Sequence, residues 1–188
     1  MKSSFYEFYR SPLSPSLLER LLKKVDLLLQ NGQYHHDRPL YQTKGNILIA
    51  HPEFSELRKS FLSCVRLYLG RNSESFFSSP LNLVSWVYTN WGGSGFIDNG
   101  YHSHNSANPT SISGIYFLSL PEETLSCATR FVIGGNIHYL PPIQGTWFLF
   151  PSSLHHQPGR SNLQTRRYTL SADLSIQSSA VARYLQSL

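Results

Sequence analysis

Between Leu81 and Ile176 the chain is written in six short runs rich in β-branched and aromatic residues, "LNLVSWVYTNW", "SISGIYFLSLP", "ATRFVIGG", "IHYLPP", "GTWFLFPSS" and "RRYTLSADLSI", each closed by Gly, Pro, Asn or Ser. Runs of this length and composition read as strands, and several of them at short spacing predict a β-sandwich or barrel. The stretch before them has a different period. In "SPSLLERLLKKVDLLLQNG" the residues Leu17, Leu18, Leu21, Leu22, Val25, Leu28 and Leu29 recur at three- and four-residue intervals, and in "HPEFSELRKSFLSCVRLYLG" the positions Phe54, Leu57, Phe61, Val65, Tyr68 and Leu69 do the same before Gly70 stops the run. Two amphipathic helices followed by strands predict a mainly β fold with helices bracing one face of a sheet. We expect a single domain over 1–188, with a helical part at about 12–70, a β core at about 80–176 and a short closing helix at 178–188.

Composition narrows the classes of partner. The net charge of +5 comes from scattered basic residues that pair only in doublets such as Lys23-Lys24 and Arg166-Arg167, a poor footprint for nucleic acid. It leans slightly toward an acidic or carrier-tethered substrate. Cys64 and Cys127 fit neither a zinc-knuckle spacing nor a disulfide framework, and no stretch approaches a membrane span. "MKSSFYEFYRSPLSP" lacks the apolar core of a signal peptide, so a reduced, cytoplasmic location without membrane partners is expected.

The chemistry concentrates in histidines. In "YHSHNS", His102 and His104 are one residue apart, and on an extended strand residues i and i+2 project to one face, where two imidazoles can share a metal. A third ligand is offered by "GTWFLFPSSLHHQPGR", where an apolar strand runs into a polar turn carrying His155 and His156. Two ligands from one segment and one from a distant segment make a facial set, leaving the opposite face of an octahedral ion open; the usual set includes one carboxylate, and here a third histidine stands in its place. Beyond lies "QTRRYTLSADLSI", whose Arg167, Thr169, Ser171 and Asp173 share one face of a strand expected beside the one carrying His156. A guanidinium fork with a hydroxyl two residues on can clamp a carboxylate, which suits an acidic cosubstrate.

Taken in order, "SWVYTNW", "YHSHNS", "SISGIYFLSLP", "QGTWFLFPSSLHH" and "RYTLSAD" resemble the small stand-alone Fe(II)/2-oxoglutarate-dependent oxygenases of bacteria and phages, over about residues 80–176. The resemblance implies a double-stranded β-helix, a cupin-like jelly roll with iron at its open end. It implies that His102, His104 and His156 bind the metal and are catalytic, and that Arg167 with Thr169 holds the far carboxylate of 2-oxoglutarate. It further implies O2 as oxidant. On the residues themselves, Asn90 could orient the cosubstrate or the substrate, and Tyr116 could hydrogen-bond a cosubstrate carboxylate, although a tyrosine in a core strand is more often packing with its hydroxyl satisfied. Asp173 stands where the family usually has Asn, and extra residues in "SANPT" separate His104 from the Ser-Gly pair. The expected activity is a dioxygenase, by default a hydroxylase of a small metabolite, amino acid or peptide, releasing succinate and CO2.

Other readings stay open on the residues alone. Only one of His102 and His104 could ligate together with His156 and water, or Asp98 could fold in from "GFIDNG". A three-histidine cupin-type oxygenase would use no 2-oxoglutarate, and a non-enzymatic jelly-roll module would use the histidines and Arg167 to hold an acidic ligand. Trp86, Tyr88 and Asn90 alternate along one strand face and read equally as barrel interior. His35 and His36 fit a solvated loop or a substrate lip, His51 and His138 fit surface or structural positions, and Gly92, Gly93 and Gly95 lack the helix and Gly-Lys ending of a phosphate cradle. Substrate identity and oligomeric state are not written in the sequence.

Overall fold

The computed structural model describes residues 6–34, 42–70, 77, 81–90, 100–104, 111–120, 128–159 and 166–176. The expected closing helix at 178–188, together with Asp98, Cys127, His35, His36 and the Gly92–Gly95 stretch, lies outside the described residues.

Helix α1 spans Pro15–Gln30, with proline in its first turn and the Ser14 hydroxyl accepting from Leu17 N at 3.3 Å. That acceptor satisfies one of the amides a helix start leaves open. Its buried stripe is Leu17, Leu21, Val25, Leu28 and Leu29. After a one-turn helix α2 (Ile47–Ala50) and a 3-10 turn (Pro52–Phe54), helix α3 runs over Ser55–Leu69 and ends at Gly70, whose φ of +55° costs glycine little. Helix α3 buries Leu57, Phe61, Cys64, Val65, Tyr68 and Leu69.

The strands are β1 (Glu7–Arg10), β2 (Leu81–Asn90), β3 (Ser111–Ser119), β4 (Thr129–Ile133), β5 (Asn136–Leu140), β6 (Thr146–Pro151), β7 (His156–Gln157) and β8 (Arg167–Ile176). They form a five-stranded antiparallel sheet in the order β1-β6-β3-β8-β2 and a three-stranded one in the order β5-β4-β7. All six strand-like runs are strands, whereas β1 and the two-residue β7 are too short to carry a period.

Alternation along the large sheet divides the interior into two layers. Ile112, Tyr116 and Leu118 of β3, Trp147 and Leu149 of β6, and Leu170, Ala172 and Leu174 of β8 join the helices in one core. Ile115, Phe117, Phe148 and Phe150 turn the other way and meet Phe131 and Leu140 of the small sheet. Gly114 admits a close helix-sheet approach, because a Cβ there would lie 2.5 Å from the Phe61 ring and 2.9 Å from Leu149 Cδ2. Polar strand residues therefore gather between the sheets, on the face away from the helices.

Candidate functional site

The segment carrying His102 and His104 is not a regular strand. His102 forms an isolated antiparallel bridge with His156, His102 N donating to His156 O at 2.9 Å and His156 N to His102 O at 2.8 Å. His104 N donates to Ser152 O at 2.9 Å. Backbone pairing thus fixes the distal histidine against the first two. The small sheet carries His156 on β7 beside Phe131 of β4, whose ring stacks on the imidazole at 5.6 Å. His155 is exposed, and His156, only 3% exposed, is the one that turns inward.

His102, His104 and His156 each offer a nitrogen within 4.8 Å of the others, a group able to hold a metal ion. The second nitrogens explain which atoms face inward. His102 Nδ1 lies 3.3 Å from Gly100 O, His156 Nδ1 lies 3.0 Å from Leu154 O, and His104 Nδ1 lies 2.9 Å from an Asp173 oxygen. Carbonyls and carboxylates accept, so all three Nδ1 atoms carry the proton in the neutral rings and each Nε2 keeps its lone pair. Such a donor set fits a borderline divalent metal, and neutral imidazole is the form that ligates. Burial among apolar neighbours, with His104, His102 and His155 adding smaller contributions, lowers the His156 pKa from 6.5 to about 3 despite its bond to Leu154 O. In the absence of metal its ring is therefore neutral well into the acid range.

The histidines open onto a cavity of about 500 Å³ between the sheets. Arg167, Thr169, Ser171 and Asp173 line it from β8, Trp86 and Tyr88 from β2, Ser113 and Ile115 from β3, and Gln42 and Pro158 from loops. The four β8 residues do share a face, as their spacing predicts. Their strand does not, however, lie beside the one carrying His156: β8 sits between β3 and β2 in the large sheet and faces β7 across the cavity. A separation of eleven residues at a sandwich edge suits a crossing between sheets as well as a hairpin.

Arg167 is 3% exposed, an unusual depth for a guanidinium. Its Nε donates to Thr169 Oγ1 at 3.1 Å, one terminal nitrogen donates to Gly159 O at 3.3 Å, and its carbon stands 5.5 Å over the Phe117 ring. Asn90 pairs with Arg167 across β2 and β8 and donates to the same Gly159 O at 3.1 Å. It is buried beside the cavity wall, with no hydrogen-bond partner for Oδ1 among the described residues.

Tyr116 requires a correction. It stands on the opposite face of β3 from Ser113 and Ile115, inside the helix-side core, with its hydroxyl donating to Ser11 O at 2.5 Å and its ring 5.1 Å from Trp147. The alternation of β3 excludes it from the cavity. Sequence reasoning passed over Ser113 and Gln42, which line the cavity instead. Ser113 was legible as the pleat partner of Ile115, whereas Gln42 arrives through an isolated bridge to Tyr88 that has no pattern to read.

No known family pattern matches the sequence, and no curated protein is significantly similar to it. Solved structures do match across nearly the whole chain. A Pseudomonas putida prolyl-4-hydroxylase superposes with a TM-score of 0.67 at 12% identity, covering 94% of this chain and 95% of that one. The viral collagen prolyl hydroxylase of Paramecium Bursaria Chlorella virus-1, in its 2OG complex, gives 0.58 at 17% identity over 93% and 98%. The non-heme alpha ketoglutarate dependent carbocyclase SnoK from nogalamycin biosynthesis gives 0.66 at 10% over 93% and 81%. The chain has the double-stranded β-helix fold of these oxygenases, as the order of its motifs led us to expect.

Proposed function

We propose that the protein is an Fe(II)- and 2-oxoglutarate-dependent oxygenase, with His102, His104 and His156 as the metal ligands. The observation that carries this reading is the convergence of three Nδ1-anchored imidazoles at one end of a cavity whose β8 wall bears the buried Arg167. Iron would supply oxygen activation, coupled to oxidative decarboxylation of 2-oxoglutarate to succinate and CO2. The chain's own residues bind and orient. Arg167 pairs with the far carboxylate of the cosubstrate, held in direction by Thr169 Oγ1 and Gly159 O, and Asn90 braces the same carbonyl. Burial of the guanidinium strengthens that pairing and selects a dicarboxylate of fixed length. Trp86, Tyr88 and Gln42 form the wall left for the substrate, a small metabolite, amino acid or peptide side chain, and hydroxylation of its C–H bond is the default outcome.

Anaerobic addition of Fe(II) and then 2-oxoglutarate to metal-free protein tests the reading, by the visible charge-transfer absorption of a chelated keto acid. The band should form in wild type and be lost or weakened in Arg167→Ala, with Fe(II) binding unchanged. Iron binding without a band would favour the second reading, a three-histidine oxygenase that binds its organic substrate directly. The all-imidazole ligand set is what recommends that alternative, and oxygen uptake independent of 2-oxoglutarate is its signature. Failure to bind iron would leave a β-helix binding module.

A further inference from the structure

A facial triad that includes Asp or Glu lowers the charge of its metal, and three neutral imidazoles do not. The described structure nevertheless brings one carboxylate to this centre, one residue further out. His104 Nδ1 lies 2.9 Å from each of the two Asp173 oxygens, so its N–H is shared by the carboxylate fork. Ser113 Oγ is 2.6 Å from Asp173 Oδ1 and 2.9 Å from Ser152 Oγ, and Ser152 is fully buried. Because a carboxylate only accepts, the Ser113 hydroxyl is the donor toward Asp173 Oδ1, with Ser152 Oγ within reach as its second acceptor. The Ser152 carbonyl in turn takes the His104 amide at 2.9 Å. Both the backbone and the ring of His104 are therefore tied to one small polar network anchored on β8, β3 and the turn after β6.

The other two imidazoles are held differently. Their Nδ1 atoms meet neutral backbone carbonyls, of Gly100 and Leu154. The His104 ring, by contrast, meets an anion, the Asp173 carboxylate. Trp86, 5.7 Å from the His104 ring, covers one side of it.

We propose that Asp173 is a positioning residue for the metal centre: through His104 it supplies, from outside the ligand set, the negative charge that a ligating carboxylate would otherwise bring. This rests on the assignment of His102, His104 and His156 as ligands. An anion bonded to the far nitrogen of a ligating imidazole makes the ring a stronger donor, fixes its tautomer and stabilises the more highly charged state of the metal.

Asp173→Asn keeps the size and one acceptor oxygen but removes the charge, and Asp173→Ala removes both. Fe(II) affinity, measured anaerobically against a competing chelator, should fall about 10-fold in Asp173→Asn and further, toward about 100-fold, in Asp173→Ala. The Fe(III)/Fe(II) potential should shift positive in Asp173→Asn, a change that a merely structural role would not produce. A double variant, His104→Asp with Asp173→Asn, moves the carboxylate into the ligand set and should recover Fe(II) binding to within a few-fold of wild type. Urea melts of the metal-free variants provide the folding control. Wild-type affinity and potential in Asp173→Asn would overturn the role of Asp173 alone. No iron binding by wild type would overturn the metal centre, and this role with it.

Discussion

Two buried side chains set the properties of the site residue by residue. His156 lies among Phe131, Phe150 and two other imidazoles, and burial lowers its pKa to about 3. In the unfolded chain the same histidine takes a proton as pH falls through 6.5, while in the metal-free fold it does not until about 3. The unfolded state binds more protons in that window, so His156 contributes stability above pH 6.5 that is lost progressively toward pH 3. Urea denaturation of metal-free protein across this range should show the decline, and His156→Gln should remove that part of it; an unchanged slope in the variant would mean that other groups carry the whole effect. Arg167 poses the matching problem for a cation. With Thr169 Oγ1 accepting from its Nε, Thr169→Val keeps the shape but frees the guanidinium to turn. The concentration of 2-oxoglutarate giving the half-maximal charge-transfer band should rise about 10-fold, the scale of one hydrogen bond to a charged group, while Fe(II) affinity stays put.

Pleat alternation is the property of the elements that decides what reaches the cavity. It was legible in β8, where Arg167, Thr169, Ser171 and Asp173 alternate with Tyr168, Leu170, Ala172 and Leu174, and the two sets do part to opposite sides. It was equally available in β3: Ser113 and Ile115 own the cavity side, which leaves Tyr116 to the helices, the packing role that a tyrosine in a core strand usually has. The pairing of strands was less legible, since period 2 says which face a residue takes and nothing about which strand is its neighbour. The same alternation puts Gly114 under helix α3. Gly114→Ala should destabilise the fold by about 1–3 kcal/mol, the usual cost of overpacking a close contact, because a methyl would collide with Phe61 and Leu149. A lower urea midpoint at unchanged slope is the expected result. Removing the Ser14 hydroxyl that starts α1 by Ser14→Ala should cost about 1 kcal/mol by the same measurement.

Across the whole molecule, the site is assembled from segments distant in sequence: His102 and His104 between β2 and β3, His156 on the small sheet and Arg167 on the large one. The order of these residues was readable because five short motifs, taken in sequence, resemble those of an oxygenase family. The bond between Asp173 and His104 was not, because it joins residues that meet only when the chain has crossed between layers. A metal ion shared by these segments binds the folded chain and not the unfolded one, so it should stabilise the fold by mass action. At a hundred times its dissociation constant the gain is about 2.7 kcal/mol, and for a chain of this size each kcal/mol raises Tm by roughly 2–4 °C. Mn(II) or Co(II), which avoid iron oxidation, should therefore raise the melting temperature by about 5–10 °C. His156→Ala, which removes the ligand from the small sheet, should abolish most of that shift. A shift retained in the variant would place the ion elsewhere, and none in wild type would mean that the three imidazoles do not close on a metal.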